Sequence, residues 1–280
     1  MKPFLTIIFA FIIQIGLACN CLDFKDAKKQ SIKENKFILA HFSDAFISDK
    51  QHNGYLKIDG ISTEEEKVFN QKFIYVCIAT RNDIYNLRKK YAILEPTELL
   101  ILDGLGQEIF RFNSKYNSAQ VLEALTIFSV PIPELSIELQ EFNTTKSYNS
   151  SRKVCEKYLD YAIGKNIDVK NKLQLLAAKY LNEGKSKIKK TDISRNIKLQ
   201  NFELLSLNHW ALVNRFDIIN ENLKKFAETT IYPESTSLYC FLKILVAKKL
   251  NNPILEDIQA KFIASTDYDY YSKRMNLFDN

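Results

Sequence analysis

Apolar residues are spaced in two different ways along the chain. In the first half they gather in short dense runs, Phe37-Ile38-Leu39-Ala40-His41-Phe42, Phe73-Ile74-Tyr75-Val76-Cys77-Ile78 and Leu99-Leu100-Ile101-Leu102. Each run is too short for a helix and is bounded by polar residues, which marks buried strands. Residues 23–35 have helix-forming composition with a sparse stripe of Phe24, Ala27 and Ile32. Asp83 opens a second helical pattern in which Ile84, Leu87 and Tyr91 recur at helical spacing, with Asn82 or Asp83 placed to cap it. Asp103-Gly104 between two apolar runs signals a hairpin, and Val121, Leu122, Leu125 and Phe128 share one face of a helix over 118–128.

Beyond Ser150 the period becomes 3.6 almost everywhere. The stripes are Val154-Tyr158-Tyr161, Leu173-Leu176-Tyr180, Phe202-Leu205-His209-Leu212-Phe216, Ile219-Leu223-Phe226, Leu238-Leu242-Leu245 and Ile254-Ile258-Phe262. Six helices joined by short polar turns predict antiparallel hairpins, either a bundle or a tetratricopeptide-like stack. The Trp, Leu-Gly and Tyr positions of a 34-residue repeat do not recur, and Trp210 is expected in the core. Val130-Pro131-Ile132-Pro133 cannot continue a helix, so residues 131–150 read as a linker with one short helical stretch over 134–142. The resulting division is a leader over 1–18, an α/β domain over 22–130, the linker, and an all-helical domain over 151–280.

The segment Tyr91-Ala92-Ile93-Leu94-Glu95-Pro96-Thr97-Glu98-Leu99-Leu100-Ile101-Leu102-Asp103-Gly104 resembles the thioredoxin family. The shared pattern is a helix ending in Lys-Tyr, a short loop, Pro-Thr, a buried strand and a glycine hairpin. With the strand at 36–42 before it and the helix at 118–128 after it, the resemblance covers about 110 residues. It implies an α/β sandwich in which a right-handed crossover sets the first two strands parallel. It also implies a cis bond at Pro96, facing the family's redox cysteine pair.

That pair is missing. Laid over the family pattern, Phe46-Ile47-Ser48-Asp49-Lys50 puts Ile47 and Lys50 where the cysteines belong, and no cysteine occurs between Cys21 and Cys77. Disulfide exchange needs a thiolate, so the resemblance predicts a redox-inactive domain with no catalytic residue at this position. The retained face, Phe46, Ile47, Glu95, Pro96 and Thr97, is expected either to dock an extended peptide by β-type pairing or to be vestigial, with Phe46 and Ile47 folded inward. His41 falls where redox-active members often carry a buried acid, but it has no nucleophile to activate.

The rest of the composition narrows the function. Lys2, the uncharged run from Phe4 to Leu17 and Gly16-Leu17-Ala18 form the order of a secretory signal. Export to the periplasm or beyond is therefore expected. Cys19 directly after Ala18 is a candidate for lipidation, and both a lipid-anchored and a simply cleaved form remain open. The formal charge of +6 comes with lysines scattered among acidic residues, which argues against nucleic acid as a partner. The densest basic run, Lys185 to Lys190, reads as a solvated loop. His41, His52 and His209 show no metal-ligand spacing, and no cofactor motif appears. The expected function is that of a protein-binding or scaffold module of the cell envelope, touching membrane only through Cys19. The alternative is a thiol-disulfide oxidoreductase or isomerase using Cys19 and Cys21, or Cys77 if its strand is exposed.

Overall fold

The computed structural model describes residues 23–43, 62–79, 83–95, 97–112, 116–226 and 231–279. Two units meet at the Pro131–Ile132 bond. The leader, Cys19 and Cys21 lie outside the described residues.

In the first unit the dense apolar runs become strands because both faces of the sheet are covered. The order is α1 (Phe24–Glu34), β1 (Ile38–Ser43), α2 (Thr63–Lys72), β2 (Ile74–Ala79), α3 (Asp83–Lys90), β3 (Thr97–Leu102), β4 (Glu108–Phe112) and α4 (Ser118–Phe128). The sheet runs β2-β1-β3-β4. β1 and β2 are parallel, with Ile38 opposite Ile74, and β3 is antiparallel to both β1 and β4. One face packs Ile38, Ala40, Phe42, Val76 and Leu100 against Ala27 of α1, Leu87 of α3 and Tyr91. On the other face Phe37 and Phe110 meet Phe128 of α4 at ring distances of 5.7 and 5.9 Å. Each such fully buried side chain contributes about 1.5–3 kcal/mol.

Two local features add to the sequence reading. Helix α2 starts with a capping box, in which the Ser62 hydroxyl accepts from Glu65 N–H and Glu65 accepts from Ser62 N–H; the signal was present in Ser62-Thr63-Glu64-Glu65. The hairpin is wider than a two-residue turn. Gly106, not Gly104, takes the left-handed conformation at φ 77°, and buried Asp103 accepts the N–H groups of Leu105 and Gln107 at 2.9 and 2.8 Å.

The second unit comprises α5 (Leu135–Thr145), α6 (Tyr148–Ala162), α7 (Ile167–Lys185), α8 (Arg195–Leu212), α9 (Phe216–Leu223), α10 (Thr236–Lys249), α11 (Glu256–Ile263) and α12 (Tyr268–Asp279). Residues 131–150, read as a linker, carry α5, whose buried Leu135, Leu139 and Phe142 belong to this unit and whose closest partner is α6. Helices α6 and α7 approach so closely that a Cβ on Gly184 would lie 1.6 Å from the Ser151 hydroxyl. Trp210 is only half-buried and His209 is exposed. The buried stripe of α8 runs through Asn201, Leu204, Asn208 and Ala211, so polar residues occupy core positions and hide the true face. Cys155 and Cys240 are both buried and are not bridged to one another. The chain is thus a mixed α/β protein, with one small four-stranded sheet and many helices among the described residues. Among the described residues, no helix is long and apolar enough to cross a membrane.

Candidate functional site

Parallel strands β1 and β2 end together, Ser43 opposite Ala79, and β3 begins beside them with Thr97 opposite Ser43. Open α/β sheets place ligands outside the carboxyl ends of such strands. Glu95 and the backbone of Thr97 fall at this end of the sheet. Phe46, Ile47, Pro96 with its expected cis bond, and the Thr97 side chain lie outside the described residues.

The approach to β3 is held by side chains that the sequence did not single out. Glu98 sits on the same face as Leu100 and is only 4% exposed. One of its oxygens accepts the backbone N–H groups of Leu94 and Glu95 at 3.0 and 3.2 Å. The other pairs with Arg111 of β4 at 2.9 Å. Arg111 also engages both oxygens of Glu108, at 3.1 and 2.6 Å, and donates to the carbonyls of Tyr91 and Ala92. Arg88 donates to the Glu95 carbonyl at 2.7 Å. A buried carboxylate requires such pairing and hydrogen bonding to be tolerated.

Helix α3 ends where this network begins. Ile93 N–H donates to the Arg88 carbonyl at 2.9 Å, and Ala92 is left-handed at φ 48°. This is a helix stop of the kind that glycine usually serves. Burial pushes the Tyr91 hydroxyl well up, so it stays a neutral donor, and it reaches the Gly106 carbonyl at 2.7 Å. The loop is thereby tied to helix, strand and hairpin at once. From it Leu94 projects with 90% of its surface exposed, an apolar side chain on a backbone held by its own N–H.

On the opposite face His41 lies beside Cys77 in the parallel register, and its Nδ1 is 3.2 Å from the Tyr75 hydroxyl. All three side chains are half-buried. Cys77 lies on β2, one of the two edge strands of the sheet.

The second unit holds a separate charged cluster. Arg152, Glu156 and Asp160 form a stripe along α6, and Arg274 of α12 is 1% exposed with its Nε 2.9 Å from Asp160. Tyr270 donates to Asp160 at 2.8 Å and Tyr271 to Glu156 at 2.9 Å. Burial pushes the Glu156 carboxyl up, against the pull of Arg152 and Arg274. These ion pairs and hydrogen bonds tie α12 to α6. Compared with family models, with curated proteins and with solved structures, the chain finds no match.

Proposed function

We propose that the chain is an exported envelope protein whose first unit is a redox-inactive thioredoxin-like domain that binds an extended polypeptide segment. The docking face is the end of the sheet where the chain leaves Ser43 and returns through Leu94, Glu95, Pro96 and Thr97, with Phe46 and Ile47 as apolar contacts. The observation that carries this reading is Leu94, exposed on a loop immobilised by Glu98 and Arg111. An apolar side chain exposed on a tethered backbone suits capture of an extended segment, because the loop loses little entropy on binding. The parallel β1–β2 pair followed by an antiparallel hairpin supports the thioredoxin resemblance. The lack of any cysteine between Cys21 and Cys77 supports binding over exchange. In this reading the partner is a protein, no cofactor or nucleic acid is used, and any membrane attachment is through lipidated Cys19.

A second reading, thiol-disulfide exchange, draws on half-buried Cys77 beside His41, or on Cys19 and Cys21. To test the first, peptides would be selected from a displayed random library on the full chain and their affinities measured. Ile47→Asp and Leu94→Asp should each weaken binding about tenfold or more with the circular dichroism unchanged. Unaltered affinity in both variants refutes this docking face.

A further inference from the structure

The net positive charge of the chain is concentrated in one place. The residues from Lys185 to Lys198, which run from the end of α7 into the first turn of α8, include six basic residues and one acidic residue, so they carry a formal +5 of the chain's +6. The single acid is engaged within the loop: the Asp192 carboxylate accepts the Ser194 N–H and hydroxyl at 2.9 and 2.7 Å and pairs with Lys198 at 2.6 Å. Lys187, Lys189, Lys190 and Arg195 are exposed and form no ion pair among the described residues.

The neighbouring turn adds to the same end of the unit. A Cβ on Gly184, next to Lys185, would meet the Tyr148 Cα at 3.3 Å, so the start of α6 lies against the end of α7. Residues 143–151 there hold exposed Lys146 and no acid. The Lys146 and Lys185 ammonium groups lie over the rings of Phe142 and Phe202 at 4.6 and 4.0 Å, which keeps both charges at this end. Beside these cations Ile193 is 103% exposed, bracketed by turns in which the Lys189 and Asp192 carbonyls accept the Asp192 and Arg195 N–H groups at 3.2 and 3.0 Å. A single exposed apolar residue is ordinary. One beside unpaired cations has the make-up of a contact with anionic lipid, where the headgroups attract the charges and the apolar side chain enters the interface. A single-stranded nucleic acid would call for aromatic faces open to stacking, whereas the two rings at this end lie under lysines.

We propose that this end of the helical unit docks on an anionic membrane surface, with Lys146, Lys185, Lys187, Lys189, Lys190 and Arg195 toward the headgroups and Ile193 entering the interface. The contact is independent of the peptide-binding reading of the first unit and needs no lipid on Cys19. It adds to any anchor there, because one weak membrane attachment becomes stable when a basic patch accompanies it. Each cation close to such a surface raises partitioning about fivefold.

Flotation of the full chain with vesicles tests this, comparing phosphatidylcholine alone with a mixture containing about 30% phosphatidylglycerol. The neutral vesicles record whatever the leader contributes, so the readout is the excess partitioning into the anionic ones. The expected excess is about 100-fold at low salt, falling steeply toward about 0.5 M salt. Joint replacement Lys187→Gln, Lys189→Gln and Lys190→Gln should reduce the excess at least tenfold. The same loss of charge at exposed lysines elsewhere, Lys33→Gln, Lys172→Gln and Lys273→Gln, should change it less than about threefold. Ile193→Ser should lower partitioning about three- to tenfold. All seven positions are exposed, so the fold is spared. No preference for anionic vesicles, or equal losses in the two triple variants, overturns the docking surface, and unchanged partitioning in Ile193→Ser overturns the insertion. Tighter binding to a DNA duplex of about 20 base pairs than to the anionic vesicles, lost in the loop triple variant, would assign the patch to nucleic acid and overturn the membrane reading.

Discussion

Replacing Arg111 with Met removes a guanidinium while keeping most of the aliphatic volume, and it probes the network that holds the loop before β3. Glu98, whose side chain is 3% exposed, would keep two backbone donors and lose its counter-charge. Breaking a buried pair from one side costs about 3–5 kcal/mol. The Arg111 side chain is 22% exposed, so water screens the site and the cost falls to about 2–4 kcal/mol. Hydrogen exchange followed by mass spectrometry reads this directly in the amides of β3, with α7 as internal reference. At 1.4 kcal/mol per tenfold, β3 exchange should accelerate roughly 30- to 700-fold. Glu98→Gln keeps an acceptor for Leu94 and Glu95 and should cost only about 1 kcal/mol. In the double variant the two losses should be less than additive. If Arg111→Met changes β3 exchange by less than about threefold, or if the two losses simply add, the loop is not held in this way.

Other positions give independent checks. Ala92→Gly removes a Cβ from a left-handed residue and should stabilise the first unit by about 1 kcal/mol, seen as later exchange of β3; a loss of protection would contradict the assigned conformation. Gly184→Ala forces a Cβ into Ser151 and should lower the urea midpoint of Trp210 fluorescence by the equivalent of about 1–3 kcal/mol; an unchanged midpoint would refute the close helix approach. Hydrogen bonds from Lys198 and Ser194 hold the Asp192 carboxyl down at about 2, below its ordinary 3.8. Its folded value is depressed, so its stabilising contribution is complete above pH 3.8 and is lost as pH falls toward 2. Carbon-13 carboxyl titration should show this, with Lys198→Met moving the midpoint upward, and a parental midpoint at or above 3.8 would contradict it. Burial pushes the Cys155 thiol up and encloses Cys240, so neutral alkylation should spare both until urea unfolds the chain. Rapid modification of Cys155 in the native protein would show that burial does not protect it.

The strands were legible because a sheet covered on both faces concentrates its apolar residues: Ile38 to Phe42 and Ile74 to Ile78 stand out from any window around them. Their parallel pairing followed from the crossover alone. The loop network was not legible, since Glu98 and Arg111 act on the backbone of residues 91–95 and no periodicity records such a contact. Charged residues inside otherwise apolar strands were the available signal. Helix α5 was legible as a short helical stretch over 134–142, but prolines 131 and 133 suggested a linker, whereas its buried Leu135, Leu139 and Phe142 belong to the second unit. Helix α12 was hidden because its buried positions include Tyr271 and Arg274, which dilute the apolar contrast on which the sequence reading rests. On α8 buried Asn201 and Asn208 shifted the apparent face toward Phe202 and His209.

Disulfide reduction by the chain under excess dithiol, compared with a variant carrying Ile47→Cys and Lys50→Cys, tests the central claim most directly. The account predicts a silent parent and measurable turnover in the double variant, because the proposed thioredoxin-like domain would then present a thiol pair at the position the resemblance assigns to it. Turnover by the parent, lost on Cys77→Ser or on Cys19→Ser with Cys21→Ser, would contradict the redox-inactive reading and make exchange the function.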